Sequence, residues 1–273
     1  MSDNQCLRSI RNVLVRIRRF LLVFCSATWE LPLSELMRFL QLRRNHSCPT
    51  QKGSIHSFHL RKLNRRGLCV REGTTDALVL EDVVWRNSYL PPHALPKTCV
   101  IFDLGANIGC CAAHLAEIYP SARMAVVEME PSNAMVARRN LAQFGNRVQV
   151  IEAAVWPKDG KLVLSGKSEN AYNVQEKQHH SEEAIYVTSI SMLSLMETME
   201  ANRVDYIKID VEGAERQLFS VNPSPWLDRT DALKVEIHDP DCFSEIFAVL
   251  KAHGFIVAKD PNHWSTIAAW RQS

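Results

Sequence analysis

The amino-acid sequence predicts an α/β fold of the Rossmann-like, doubly wound type. We expect a mostly parallel seven-stranded sheet with an antiparallel terminal strand, plus a helical N-terminal extension. From about residue 99 onward, short β-rich runs alternate with helical stretches, which is typical of a parallel sheet flanked by helices. A glycine turn follows the first of these runs, and two strand-like runs around Pro261 and Asn262 suit a hairpin at the end of the sequence.

The predicted strands and helices follow one another in alternation. We place strands at residues 99–103, 124–130, 148–152, 204–210 and 233–238, and helices at 107–119, 132–144, 192–201, 214–220 and 242–253. The long interval after residue 154 leaves room for an extra hairpin, in which 161–165 would pair with 185–189. The closing hairpin would join 255–259 to 266–270 and add an antiparallel strand to the sheet.

The sequence divides into three predicted parts. Residues 1–53 form a basic helical extension and linker, 54–98 a segment that packs over the ligand site, and 99–273 the main domain. Charge is distributed unevenly, because residues 1–72 carry 14 Lys and Arg against 4 Asp and Glu, while the remainder carries 18 against 26. The two parts should therefore face different partners, or each other.

The extension begins with a predicted amphipathic helix. Between Ile10 and Phe24, apolar residues recur at helical spacing and arginines occupy the other side, and a second helix is expected at 33–42. The apolar stripe could dock on the protein itself, on a partner protein or on an anionic membrane surface. We expect no nucleic-acid partner.

Composition excludes several classes of protein. With 46% hydrophobic and 23% charged residues in a chain of 273, disordered and collagen-like chains are excluded. No window contains the ~18 consecutive apolar residues of a membrane-spanning helix. Eight cysteines without CxxC spacing, and no recognisable secretory leader, predict reduced thiols in the cytoplasm, with membrane association through the basic helix as an option.

The segment 100–109 runs from an apolar strand through a glycine turn into a helix. Gly105 allows the tight turn, and Gly109 allows the helix to approach a ligand and the neighbouring strand. The spacing is GxxxG rather than the GxGxxG of dinucleotide sites, which disfavours a nicotinamide oxidoreductase. Asp103 at the strand tip would repel phosphates and neutralise an ammonium group, so we expect a ligand with an amino-acid end.

Two further strand tips complete the predicted pocket. Glu130, at the end of the second strand, could accept hydrogen bonds from both ribose hydroxyls, and Glu128 on the same strand is the competing candidate. The third tip, residues 152–155, offers small side chains and backbone groups that could border an adenine. Asp103, Glu130 and this third tip together describe a pocket for S-adenosylmethionine.

With these residues the sequence resembles the FkbM family of methyltransferases over residues 60–271. The motifs that carry the resemblance are Arg71–Asp76 (REGTTD), Asp103–Gly109 (DLGANIG), Glu130–Pro131, Ile207–Glu215 (IKIDVEGAE) and Glu236–His238 (EIH). The resemblance implies a class I, S-adenosylmethionine-dependent enzyme, most of whose relatives methylate hydroxyl oxygens. It also implies that Asp76 and Tyr89 close over the cofactor.

Acidic residues recur where the fourth and fifth strands end. Asp210 would lie beside the methyl donor, Glu212 would lie near a helix start, and Glu236 and His238 would share a strand face. We expect in-line methyl transfer with His238 or Asp210 as the general base. Two acids and a histidine could also hold a divalent ion, but we expect no metal.

The predicted site therefore has two parts. The catalytic residues are Asp210, Glu212 and His238; the cofactor-binding residues are Asp76, Asp103, Gly105, Ala106, Asn107, Gly109, Glu130, Pro131, Glu152, Ala153, Ala154 and Asp210. The acceptor is expected to be a hydroxyl on a sugar, a glycan or a small metabolite. The alternatives are N-methylation and a non-catalytic adenosylmethionine-binding scaffold.

Overall fold

A computed structural model describes residues 25, 27–46, 53–168, 171–175, 185–260, 263 and 265–272, with the backbone alone at 164–168, 171–175 and 185. The chain divides into two compact units, residues 1–85 and 86–273, called here the amino-terminal and carboxy-terminal units. The predicted segment 54–98 is shared between them. The amphipathic helix predicted between Ile10 and Phe24 lies outside the described residues.

The amino-terminal unit contains helix α1 (Leu33–Arg44), which confirms the helix predicted at 33–42. Pro32 precedes its first turn, where a missing backbone N–H costs nothing. The helix buries an apolar face that includes Phe39, whose ring centroid lies 5.5 Å from that of Phe58 and 4.6 Å from that of Trp85. This aromatic group forms the centre of the unit.

A hairpin that the sequence analysis did not predict completes this unit. Strands β1 (Ile55–His59) and β2 (Gly67–Arg71) pair antiparallel and lead to helix α2 (Asp76–Leu80), which continues as a π-helical turn to Trp85. Mixed polar and apolar residues in β1 made its alternation too weak to recognise from the sequence.

The carboxy-terminal unit contains all the elements of the predicted α/β domain. Its strands are β3 (Val100–Leu104), β4 (Arg123–Glu128), β5 (Val148–Glu152), β6 (Ala154–Val155), β7 (Gly160–Ser168), β8 (Ala171–Gln175), β9 (Ile185–Ile190), β10 (Val204–Ile209), β11 (Thr230–Glu236), β12 (Ile256–Lys259) and β13 (Thr266–Trp270). Its helices are α3 (Cys110–Ile118), α4 (Pro131–Leu141), α5 (Met192–Thr198), α6 (Glu215–Ser220), α7 (Ser224–Leu227) and α8 (Phe243–Ala252). All but β8 and the short β6 and α7 were predicted.

The central sheet has seven strands in the order β12-β13-β11-β10-β3-β4-β5. Strand β13 runs antiparallel to both β11 and β12, and the other contacts between neighbours in the sheet are parallel, which confirms the predicted fold class. The predicted extra hairpin is confirmed by the antiparallel pairing of β7 with β9. Because β3 lies between β10 and β4, the carboxyl ends of three strands meet at one edge, where ligands bind in such sheets.

Both faces of the sheet are covered. Alternate residues such as Leu104 and Ile209 pack into one apolar cluster with α5 and α8, and residues of the opposite face, such as Ile101 and Tyr206, are also fully buried. None of the helices in the described ranges is long and apolar enough to cross a membrane. The described cysteines are free thiols, and the cytoplasmic location stays a prediction.

Candidate active site

The turn between β3 and α3 lies tightly against the end of β10. Gly105 has φ +75°, and a Cβ atom on it would lie 1.7 Å from the backbone carbonyl oxygen of Asp210. Gly109, with φ +79°, packs on α4, where a Cβ would lie 3.0 Å from a side-chain carbon of Leu141. Only glycine at residue 105 therefore permits this approach of the two backbones.

An open cleft lies at the carboxyl ends of β3, β4 and β10. About 740 Å³ of space lies within it when the open solvent at its mouth is included. It is lined by Gly105, Asn107, Val127, Glu128, Met129, Glu130, Asn133, Ala153, Ala154, Val155, Asp210, Val211, Glu212 and Ala214. The predicted Gly105, Asn107, Glu130, Ala153, Ala154, Asp210 and Glu212 are thus brought together around one space.

Asp103 differs from its predicted role. Its side chain is completely buried, and Lys208 Nζ lies 3.3 Å from Asp103 Oδ1 and 3.3 Å from Asp210 Oδ2. Burial raises the pKa of Asp103, although Lys208 opposes this rise. Burial lowers the pKa of Lys208, but the charges of Asp210 and Asp103 outweigh it and raise the pKa overall. Lys208 therefore meets the charge of Asp103, and the role of Asp103 in cofactor binding stays a prediction.

Lys208 was missed by the sequence analysis. Its ammonium also donates a hydrogen bond to the Gly105 carbonyl oxygen at 2.5 Å, so it joins the glycine turn to the end of β10. A lysine in the middle of the otherwise apolar run at 206–209 was the available signal, because a buried ammonium needs a charged partner.

The two acids that we considered for the ribose, Glu128 and Glu130, both line the cleft. Strand β4 ends at Glu128 and not at Glu130, so the predicted strand end was wrong by two residues. Glu128 is 7% exposed, and its carboxylate accepts hydrogen bonds from the backbone N–H groups of Asn107 (2.7 Å) and Glu130 (2.9 Å). Burial raises the pKa of Glu128 despite these bonds.

Glu130 acts as the N-cap of helix α4. Its Oε2 accepts hydrogen bonds from the backbone N–H of Asn133 at 2.6 Å and from the hydroxyl of Ser132 at 2.8 Å. Pro131 follows at the first helical position, which its fixed φ favours. Glu130 reaches the cleft wall, but much of its hydrogen-bonding capacity serves the helix.

A connected cluster of acids surrounds His238 at one end of the cleft. His238 Nδ1 lies 2.7 Å from Glu215 Oε1, and its Nε2 lies 3.4 Å from Glu212 Oε2 and 3.6 Å from Asp210 Oδ1. Burial lowers the pKa of His238, but the hydrogen bond and charge of Glu215, with Glu212 and Asp210, raise it to about 9. The imidazole is therefore protonated at neutral pH.

Glu212, another member of this cluster, has a raised pKa. Burial raises the pKa of Glu212 to about 7, although the positive charge of His238 opposes the rise. Glu212 has φ +51°, which places this side chain in a strained left-handed turn at the cleft. A carboxyl group with a pKa near neutrality suits proton transfer at physiological pH.

Tyr89 connects the ends of β10 and β11. Its hydroxyl is 3.2 Å from Asp210 Oδ2 and also hydrogen-bonds to Glu236 Oε2; one O–H can donate to only one of them at a time. Burial and the charges of Asp210 and Glu236 raise the pKa of Tyr89, so it remains a donor.

Ligand atoms of Asp210, Glu236 and His238 lie within 4.8 Å of one another. Two acids and a histidine at this spacing have the donor types of a divalent-ion site. These groups already have partners: Lys208 pairs with Asp210, and the Tyr89 hydroxyl hydrogen-bonds to Glu236. His238 carries its own proton, because its pKa is raised to about 9. The expectation of no metal stays a prediction.

Comparison with known sequences identifies the family. The profile of the methyltransferase FkbM domain matches residues 103–257, more than half of the chain and the whole of the cleft described above. The chain belongs to the FkbM methyltransferase family.

Among curated relatives of this methyltransferase, methyltransferase sdnD of Sordaria araneosa is 25% identical over 217 residues, covering 65% of this chain and 83% of the relative. Methyltransferase 1 of Beauveria bassiana (strain ARSEF 2860) is 25% identical over 192 residues, covering 62% and 77%. A release factor glutamine methyltransferase of Geobacter sulfurreducens is 26% identical over 119 residues, and the match spans only 42% of its length.

One solved structure that this chain resembles at low sequence identity carries the FkbM name. Methyltransferase FkbM from Methylobacillus flagellatus KT aligns with a TM-score of 0.47 and 10% identity, covering 87% of this chain and 59% of that chain.

Several predicted residues of this FkbM methyltransferase lie away from the cleft wall. Glu152 was expected at the third tip, but its carboxylate pairs with Arg138 at 2.9 Å on the surface, because both side chains extend into solvent. Ala153 and Ala154 line the cleft as predicted. Ala106, Gly109 and Pro131 support the turn and the helix start without lining it.

Asp76 lies in the amino-terminal unit, at the start of α2. Its carboxylate accepts three hydrogen bonds from Arg71, one from the backbone N–H and two from the guanidinium, each 2.9 Å long. These bonds occupy both oxygens, and the role of Asp76 in cofactor binding stays a prediction.

We expect replacement of Glu215 by glutamine to lower the pKa of His238, because the variant loses the charged hydrogen-bond acceptor at Nδ1. NMR titration of the imidazole measures this directly. Since the folded pKa of about 9 exceeds the ordinary 6.5, the stability that the pair supplies is complete below pH 6.5 and is lost as pH rises through 9. The Tm difference between wild type and variant should therefore narrow across that range.

Glu245→Gln is the matched control. Glu245 is an exposed acid on the neighbouring helix α8, and it pairs with Arg216 of α6. The control variant should leave the His238 titration unchanged. An unaltered His238 pKa in Glu215→Gln would show that this carboxylate does not hold the imidazolium.

Proposed function

We propose that this methyltransferase transfers a methyl group from S-adenosylmethionine to a hydroxyl oxygen of a sugar, a glycan or a small metabolite. The observation that carries the proposal is the meeting of Asp210 and Glu212 with His238 at one end of a cleft whose other end holds Glu128. A cofactor with a nucleoside end and a reactive methyl end fits such a cleft. When bound, it supplies a methyl group on a positively charged sulfur.

The residues of the cleft fit this cofactor. Glu128 accepts two backbone hydrogen bonds and one from the Asn133 side chain, which leaves acceptor capacity on the carboxylate for a ribose hydroxyl. Glu130 lines the cleft too, but one of its oxygens is engaged with its helix. Ala153 and Ala154 leave room beside the wall for a flat base. The glycine turn at Gly105 brings backbone groups against the cleft without a side chain.

We assign proton acceptance to Asp210 rather than to His238. A histidine with a pKa of about 9 already carries its proton at pH 7 and cannot take one from a hydroxyl. Asp210 lines the cleft, and its Oδ1 faces the imidazolium while its Oδ2 faces Lys208 and Tyr89. These contacts orient the carboxylate, and His238 acts as a positioning residue held by Glu215.

N-methylation is a second candidate, and the charge of the cluster favours it. Four carboxylates, namely Asp210, Glu212, Glu215 and Glu236, outnumber the two cations His238 and Lys208 here, so an amine would be attracted in its protonated form. It would then give its proton to a carboxylate before its lone pair accepts the methyl group. Incubating a cell extract with enzyme and methyl-labelled cofactor, followed by mass spectrometry, separates the candidates. A labelled methyl ether supports the first proposal, a labelled methylamine supports the second, and cofactor binding without a labelled product indicates a scaffold.

We expect Glu128→Gln to weaken binding of S-adenosylhomocysteine by about tenfold or more in calorimetry, because a charge-assisted hydrogen bond to a ribose hydroxyl contributes ~1.5–3 kcal/mol. Glu130→Ala should instead cost about 1 kcal/mol of stability through the lost helix cap. Its affinity should remain close to that of the wild type. The reverse pattern would return the ribose contact to Glu130, and no binding by the wild type would refute the proposed cofactor.

A further inference from the structure

The amino-terminal unit presents a group of exposed apolar side chains. Trp29 (64% exposed), Leu33 (79%) and Met37 (68%) are the three most exposed large apolar residues in the described part of the chain, and they lie within nine residues of one another. Leu33 and Met37 are one turn apart on the solvent side of α1, opposite the buried Leu36 and Phe39. Single exposed apolar residues are ordinary, but a cluster marks an interaction surface.

The exposed charges in the described part of this unit all have the same sign. Among its described residues, the charged side chains classed as exposed are all arginines, namely Arg38, Arg44, Arg61, Arg65 and Arg66. The acids of the same ranges are buried or half-buried. Glu81, for example, pairs with Arg43 at 2.5 Å, and Glu35 with His59 at 2.8 Å. The exposed surface of these described residues is therefore positive, although they contain nearly equal numbers of basic and acidic side chains.

Two of the arginines lie directly beside the apolar group. The Arg61 guanidinium is 4.5 Å from the centroid of the Trp29 ring. Arg65 donates a hydrogen bond from Nη1 to the backbone carbonyl oxygen of Glu30 at 3.3 Å. On α1 itself, Arg38 follows Met37, and Arg44 lies two turns further along the helix.

We propose that this surface, formed by Trp29, Leu33, Met37 and the neighbouring arginines, binds an anionic lipid membrane. A bilayer offers both parts that the surface requires, since its acyl boundary accepts tryptophan, leucine and methionine while its phosphates attract arginine. A nucleic acid or an acidic protein surface would neutralise the arginines but leave Leu33 and Met37 in water. A second copy in a symmetric dimer would bring two surfaces of the same positive charge together.

Flotation of the full chain with vesicles tests this proposal. We expect binding to phosphatidylcholine vesicles that contain about 30% phosphatidylserine to exceed binding to phosphatidylcholine alone by about tenfold or more. The excess should shrink when salt rises from about 0.1 to about 1 M, because the Debye length falls from ~10 to ~3 Å. The double variant Leu33→Gln/Met37→Gln should lose about tenfold in partitioning, and Arg38→Gln/Arg44→Gln should lose most of the phosphatidylserine dependence.

Met135→Gln is the matched control, because Met135 is 57% exposed on α4 of the other unit. It should bind vesicles as the wild type does, and the helix content and melting curve of every variant, measured by circular dichroism, report correct folding independently. Three results would overturn the proposal: no vesicle binding by the full chain, unchanged binding by the Leu33→Gln/Met37→Gln variant, or a dimer in light scattering that this variant abolishes without vesicle binding.

Discussion

Asp210→Asn is expected to slow methyl transfer by at least about a hundredfold, the lower end of general-base contributions of ~10²–10⁴. The amide keeps the shape of the side chain but cannot accept the acceptor's proton. Lys208 retains Asp103 as its charged partner, so the protein should fold. Single-turnover rates with labelled cofactor, on the acceptor that the extract experiment identifies, measure the effect.

The affinity of this variant for S-adenosylhomocysteine separates a chemical effect from a binding effect. We expect it to change by no more than about threefold, because a lost base lowers turnover without removing ground-state contacts. Asp231→Asn is the matched control, since Asp231 lies in β11 near the opposite end of the sheet, paired with Arg203. Turnover at the wild-type rate by Asp210→Asn would remove Asp210 from the mechanism.

Gly105→Ala is expected to abolish folding or to lower Tm by more than about 10 °C. A Cβ atom at residue 105 would lie 1.7 Å from the Asp210 carbonyl oxygen, which is backbone and cannot rotate away. The left-handed conformation adds a further ~1–2 kcal/mol for any residue other than glycine. At about 2–4 °C per kcal/mol for a domain of this size, several kcal/mol give the stated change.

Gly145→Ala isolates the conformational part of this effect. Gly145 has φ +65°, similar to that of Gly105, but a Cβ there would meet nothing within 4 Å. Its ψ of −162° lies outside the left-handed helical region, in a conformation that is nearly restricted to glycine, so we expect the variant to cost about 1–3 kcal/mol without a steric clash and to leave cofactor binding intact. Equal thermal shifts in the two variants would show that the close approach of the turn to β10 does not constrain the fold. Calorimetric or fluorescence melting curves are sufficient for the comparison.

Many of the cleft residues could be predicted from residue order, because the end of a strand can be recognised in a sequence. A run of apolar residues that stops at an acid identifies the end of a parallel strand, and such ends share one edge of the sheet. Asp210, Glu212 and the small residues Ala153 and Ala154 were placed at the cleft by this reasoning. Glu130 also lines the cleft, but its function as the cap of helix α4 was not predicted, because capping by an acid and ligand binding by an acid look the same before the helix start is known.

Residue order alone predicts the alternation of strands and helices, the glycine turn and the acidic strand tips of this methyltransferase, since these depend on local periodicity and backbone conformation. The partner of each charged side chain depends on the folded chain: Asp103 meets Lys208, Glu152 meets Arg138, and His238 meets Glu215. Lys208 is 105 residues away from Asp103 along the chain, and the two meet because β10 pairs with β3. Periodicity reveals which face a side chain occupies, but the charge opposite it depends on a neighbouring strand.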